Sequence, residues 1–303
     1  MKIEYFLLDE FLTDRYACGA SEVTLEDYRN HLRRFFLFCG DLGDPELSRQ
    51  LLRDYQVYLR DDPSINSVTV RSYCRALKVF LHWLYMEEYI DIDYSARFRL
   101  PKAEKRVIRV LSDSEIRMLL YSFPTSTYSG VRNRLLVQFM LDSGLRLSEV
   151  LLLEAKDISI TSRQVIVCGK GAKERIVPLS LDTCDLIAEY LQSYRSFFGS
   201  YPGKDERFLR CTDGRPLSVN AVKNLFRKLK VSTGIERLHP HLLRHTFATG
   251  YIRNGGNQAV LKEILGHTTL KMTSVYLHLS DSTIRENFDS LSPVSQLKKG
   301  GYL

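Results

Sequence analysis

At 303 residues, with 44% hydrophobic and 26% charged side chains, the chain has the make-up of a soluble globular protein and a length that suggests two domains. No run approaches the roughly 18 apolar residues of a membrane span, the N-terminus lacks the order of a signal peptide, and the six cysteines contain no Cys-x-x-Cys pair, which excludes a zinc ribbon or a disulfide framework. The expectation is a cytoplasmic protein that calls for neither a metal nor a cofactor. The net charge of +7 is unevenly placed: residues 1–100 carry 13 Lys and Arg against 17 Asp and Glu, so the whole excess lies in the remainder, where it fits a phosphate-rich partner and an ordinary solvated basic surface equally well.

The first hundred residues predict helices. Thr24-Leu25-Glu26-Asp27 resembles a capped start, and Leu25, Tyr28, Leu32, Phe35 and Phe36 follow at helical spacing. Asp44-Pro45 marks a break before an amphipathic run with Leu51, Leu52, Tyr55 and Leu59. Asp61-Asp62-Pro63-Ser64 marks another, ahead of a long helix from about Val68 to Tyr89 whose apolar side carries Leu77, Phe80, Leu81 and Leu84. Arg71, Arg75 and Lys78 share a face of that helix, as Arg29 and Arg33 do on the earlier one, so two basic stripes are candidates for a DNA-facing surface. Ordinary solvated faces would look the same.

From Arg97 to Arg109 the helical pattern stops. Pro101, Lys102, Lys105, Arg106 and Arg109 predict an extended basic linker. Ser112-Asp113-Ser114-Glu115 is a capping box that opens a second helical region. Within it, Gln164–Cys168 and Arg175–Pro178 flank Gly-Lys-Gly-Ala-Lys and predict a β-hairpin. Helices resume on either side of Thr212–Pro216 and run to about Ser290, and the residues after Ser292 have no period.

Four segments of this second region carry the chemistry: Asp142-Ser-Gly-Leu-Arg146-Leu-Ser-Glu149, Gly169-Lys170-Gly-Ala-Lys173-Glu-Arg175, His241-Leu-Leu-Arg244-His245-Thr-Phe-Ala-Thr249, and Leu265-Gly-His267 running on to Tyr276. In order and wording they resemble the tyrosine recombinase (phage integrase) family, and most closely its Xer-like members without a further N-terminal domain. The resemblance extends over almost the whole chain. It implies a mainly α protein: a helical, SAM-like core-binding domain over residues 1–96, a basic linker over 97–110, and a mixed α/β catalytic domain over 111–303, mostly helical with a small antiparallel sheet and a C-terminal tail from about residue 284.

The roles implied by the resemblance agree with the chemistry of breaking a phosphodiester. Charge builds on the non-bridging oxygens in the transition state, and two fork-shaped guanidiniums, Arg146 and Arg244, match the family's phosphate clamp. Glu149 would orient Arg146 from one helical turn away. Lys170 at the hairpin matches the general acid that protonates the leaving 5′-oxygen, with Lys173 as its neighbour and competitor. His241 and His267 match the residues that hold the phosphate and support proton transfer. Tyr276, nine residues beyond His267, matches the nucleophile; its attack would give a 3′-phosphotyrosine and a free 5′-hydroxyl, conserving the ester so that rejoining needs no ATP. Arg29, Arg33, Arg71, Arg75, Lys78, Lys102, Lys105, Arg106, Lys173 and Arg175 are the candidate DNA contacts.

The partners implied are double-stranded DNA with short inverted-repeat core sites and a homotetramer, with or without a second recombinase, working through a Holliday junction and exchanging C-terminal tails. Other readings are a type IB topoisomerase-like enzyme, with the same chemistry in a monomer, and a catalytically silent DNA-binding protein. His241 and His245 have the spacing of a zinc-binding helix, but Leu242 stands where that motif has its glutamate.

Overall fold

The computed structural model describes residues 4–104, 108–169 and 174–266. The chain divides into two compact units, Met1–Val107 and Ile108–Leu303.

The first unit is built from α1 (Phe6–Ala17), α2 (Glu22–Asp41), α3 (Arg49–Asp61), α4 (Ser67–Met86) and the single turn α5 (Tyr94–Arg97). Each long helix after α1 opens on a polar cap. Ser48 Oγ accepts from the Leu51 amide, and Asn66 Oδ1 accepts from the amides of Val68 and Thr69, so the donors left over at the helix start are satisfied locally. The start of α2 differs from the expected one. Ser21, not Thr24, is its cap: Ser21 Oγ accepts from the Thr24 amide at 3.3 Å and bonds the Thr24 hydroxyl, which leaves Thr24 inside the first turn. Leu32, Phe35, Tyr55, Leu77 and Phe80 are fully buried in the core, and the Phe11 ring packs edge-on against Tyr28, Phe80 and Trp83 at 5.2–5.5 Å.

The segment after α5 is extended, and its beginning is stitched to this unit. Phe98 is buried, which contributes about 1.5–3 kcal/mol. Its carbonyl accepts from Lys78 Nζ at 3.2 Å, the Arg99 carbonyl from Gln56 Nε2 at 2.9 Å, and the Pro101 carbonyl from Arg71 Nη1 at 2.6 Å. Leu100 packs against the same core, and the Glu104 amide donates to Ser67 Oγ at 3.2 Å, so residues 98–104 of the stretch expected to be a linker are attached to the first unit.

The second unit runs α6 (Asp113–Tyr121), α7 (Tyr128–Asp142), α8 (Leu147–Leu152), a 3₁₀ turn, β1 (Ile158–Ser159), β2 (Gln164–Cys168), β3 (Glu174–Pro178), α9 (Leu181–Phe198), α10 (Val219–Thr233), α11 (Pro240–Arg253) and α12 (Gln258–Leu265). The capping box predicted at Ser112–Glu115 is present in both directions. Helix α7 is the centre of the unit. Val131, Leu135, Leu136 and Val137, all but fully buried, point around most of its circumference, as expected of a helix enclosed by α9 and α11.

The three strands form an antiparallel sheet in the order β1-β2-β3, with Val165 opposite Val177 and Val167 opposite Arg175. Strand alternation turns Val165, Val167 and Val177 to the core and leaves Ile166 and Ile176 outside. Arg175 lies on the core-facing side with Val177. Among the described residues, no helix is long and apolar enough to cross a membrane.

Candidate active site

The site is assembled on the loop between α7 and α8. Gly144 sits at φ +63°, where a Cβ would lie 2.3 Å from the Phe247 ring, so the tight turn and the close approach both require glycine. Leu145 then anchors the loop in the core. This delivers Arg146 to the start of α8 with its main chain extended. Glu149, one turn further on, reaches back: Oε2 accepts from the Arg146 amide at 2.8 Å and Oε1 from Arg146 Nη1 at 2.7 Å.

Glu149 is 6% exposed and is the hub of a larger network. Arg175 approaches from β3 and makes a two-armed contact, Nη1 to Oε1 at 3.0 Å and Nη2 to Oε2 at 2.9 Å. The third guanidinium, Arg244 on α11, stands 3.9 Å from Oε2. It is fixed by main-chain carbonyls, with Nη1 donating to Gly144 at 2.7 Å and Nη2 to Leu265 at 2.6 Å. Two of these bonds span 100 and 26 residues of chain, so the cluster exists only in the folded unit.

Three guanidiniums around one carboxylate leave an excess of positive charge in a largely desolvated place, which is what an oxyanion needs. Burial would raise the Glu149 carboxyl, but the hydrogen bonds from Arg175 and from the Arg146 main chain outweigh it and hold the group below the ordinary carboxylate range. It stays ionised and keeps the fork of Arg146 aimed. Of the three arginines, Arg146 is the most open, with a side-chain exposure of 34% against 13% and 7% for Arg175 and Arg244.

His241 is exposed on the first turn of α11, on the same face as Arg244 three residues later. Sequence reasoning passed over its neighbour His239. That residue caps α11: its Nδ1 accepts from the Leu242 amide at 3.2 Å, while Pro240 fills the first helical position. The imidazoles of His239 and His245 are both held below the usual histidine range, first by burial and then by the charge of His241. Among the described residues, no three His, Cys, Asp or Glu side chains are grouped as metal ligands.

The residues singled out in the sequence separate into groups. Arg146, Glu149 and Arg244 come together. Arg175, expected to contact DNA, is turned inward, because strand alternation places it beside Val177 and Glu149 neutralises it there. Arg71 and Lys78 hold the main chain of residues 98–101 rather than standing free on a basic stripe. Arg33, Arg75 and Lys102 are exposed, and Arg29 is exposed but paired with Asp9 and Glu26. Lys105, Arg106, Lys170, Lys173, His267, Tyr276 and the C-terminal tail lie outside the described residues.

A helical unit followed by a mostly helical unit with a three-stranded sheet, and a carboxylate-centred arginine cluster in the latter, form the arrangement that the resemblance to the tyrosine recombinases implied. The comparisons with known proteins agree. The phage integrase family profile matches residues 109–283, and that of the phage integrase SAM-like domain matches residues 6–100. The chain therefore belongs to the phage integrase family, the tyrosine recombinases. It is 29% identical to the tyrosine recombinase XerC of Bacillus pumilus, over 90% of this chain and 91% of that one. To the tyrosine recombinase XerD of Oceanobacillus iheyensis it is 27% identical, over 96% and 99%. Its fold is similar to that of the XerH site-specific recombinase bound to palindromic difH substrate, with a TM-score of 0.71 at 21% identity over 93% of this chain and 83% of that one.

Proposed function

We propose that the protein is a site-specific DNA recombinase in which Tyr276 attacks a phosphate at a short inverted-repeat core site, forming a 3′-phosphotyrosine and freeing a 5′-hydroxyl. The observation that carries this reading is the Glu149 hub, which presents the open fork of Arg146 beside the anchored Arg244. Two guanidiniums so fixed bind the non-bridging oxygens without reorganising as charge builds on them. Lys170 donates the proton to the leaving oxygen, and His241 and His267 hydrogen-bond the phosphate while the phenol loses its proton. The 5′-hydroxyl of the partner strand then attacks the phosphotyrosine, and one ester replaces another with no input of ATP or metal. Four subunits on two sites, exchanging strands in pairs through a Holliday junction, would complete recombination in the cytoplasm.

The test is trapping on a nicked suicide duplex drawn from the locus that encodes the protein, with Tyr276→Phe beside the wild type on a denaturing gel. The expected result is a protein–DNA adduct that is absent from the variant. An adduct that survives in Tyr276→Phe rejects this nucleophile. Cleavage that only relaxes supercoils, with no joined strands from two sites, replaces the recombinase with a topoisomerase-like enzyme.

A further inference from the structure

Arg175 is the one basic residue of the hairpin region that is committed to the interior among the described residues. Its guanidinium donates three hydrogen bonds, two to one carboxylate and one to a carbonyl on another helix. Nη1 and Nη2 hold both oxygens of Glu149, the carboxylate that aims Arg146. Nε donates to the Ile264 carbonyl at 2.8 Å in the last turn of α12. Gly266, at φ +63°, turns the chain directly against it: a Cβ there would stand 3.2 Å from Arg175 Nη1. In sequence, Arg175 follows Lys173 by two residues, and Gly266 precedes His267 by one.

We infer that Arg175 is a positioning residue that joins β3, the Glu149–Arg146 pair and the end of α12 into one unit. The inference rests on the recombinase reading above for the chemistry it supports, but its geometry stands without that reading. A planar, five-donor guanidinium is needed because the three acceptors lie on two sides of it. Lysine carries the same charge but has no planar fork to match a carboxylate with two parallel bonds. Removing Arg175 frees Glu149 to turn, and the fork of Arg146 loses its aim. Arg175 itself touches no substrate.

The variant that tests this is Arg175→Lys, which keeps a cation in the buried site, with Arg175→Gln as its neutral counterpart. Two measurements are made on the full chain. In the first, the Nε–H signal of Arg146 is followed by NMR, assigned with Arg146→Lys. We expect it to shift or broaden in Arg175→Lys while thermal melting still reports a folded protein. An Arg146 signal unchanged in a folded variant overturns the inference.

The second compares adduct formation on the nicked duplex with its twin carrying a methylphosphonate at the scissile position. The methyl group removes one negative charge, and with it much of what the aimed fork of Arg146 neutralises. Arg175→Lys should lose about 10- to 100-fold on the phosphate and at most about threefold on the methylphosphonate. Equal losses on both would make Arg175 a general stabiliser and sink the proposal. If the wild type forms no adduct on either duplex, the recombinase reading falls, and the Arg146 signal alone decides whether Arg175 sets the position of that side chain.

Discussion

Glu149 holds both terminal nitrogens of Arg175 while also bonding the side chain and the main-chain amide of Arg146. One buried carboxylate thus fixes the direction of an arginine on its own helix and of another on a strand 26 residues away. Glu149→Gln keeps the shape but leaves three guanidiniums around a neutral amide. We predict a loss of about 3 kcal/mol in denaturant unfolding, typical of breaking a buried charged network, and a fall of about 10- to 100-fold in adduct formation. Unfolding that matches the wild type within about 0.5 kcal/mol would show that the network adds nothing to stability.

Gly144 and Gly214 both lie at positive φ, +63° and +80°, yet their surroundings differ. Gly214 has open space around a Cβ, so Gly214→Ala should cost only the backbone strain, about 1–2 kcal/mol. Gly144→Ala adds a collision with Phe247 and Leu265 and shifts the carbonyl that anchors Arg244, bringing the loss to about 3 kcal/mol or more. Parallel urea titrations of the two variants check the order, and DNA cleavage should fall only for Gly144→Ala.

The cap of α11 requires an unprotonated Nδ1 on His239. His239 and His245 both have folded values below 6.5, chiefly because burial disfavours the cation. As pH falls below about 6.5, the unfolded chain takes up protons before the folded one. Stability that is complete above that pH is therefore lost as pH drops toward the lower folded values. His239→Asn retains a cap and does not titrate. Its melting temperature should decline less than that of the wild type between about pH 7.5 and 5.5, and identical slopes would remove His239 from the acid response.

Basic residues of the first unit should fall into two behaviours. Charge reversal at the exposed Arg33 or Arg75 should leave the melting temperature in place and flatten the salt dependence of DNA binding, by about 0.9 in log–log slope for each phosphate no longer neutralised. Arg71→Ala and Lys78→Ala instead release the carbonyls of Pro101 and Phe98, so they should lower the melting temperature of the unit. A flat salt response of the wild-type protein would count against a phosphate-contacting surface altogether.

Much of this molecule could be read along the chain because the relevant physics is local. The Ser112–Glu115 box starts a helix within four residues, and the apolar period of the long helices marks their buried sides. Local reasoning missed by a single turn at Ser21 and Thr24, because two hydroxyl residues three apart compete for one cap. Arg146 and Arg244 stood out through their motifs, and Glu149 through its spacing from Arg146.

Arg175 could not be read in this way. Ile176 and Val177 are both apolar, so the alternation of β3 fits either face toward the core, and the choice of face decides whether residue 175 points inward or to solvent. Arg71 and Lys78 likewise share a basic helix face in sequence, and their partners are carbonyls 30 and 20 residues downstream. The sequence by itself determined the long helices and the paired strands of the described residues, the family and the residue types available for phosphate chemistry. Only the tertiary structure decided which cations face outward and which are held inside. A guanidinium takes its direction from the acceptors that desolvation brings around it, and here Glu149, Ile264 and Gly144 arrive from distant parts of the chain.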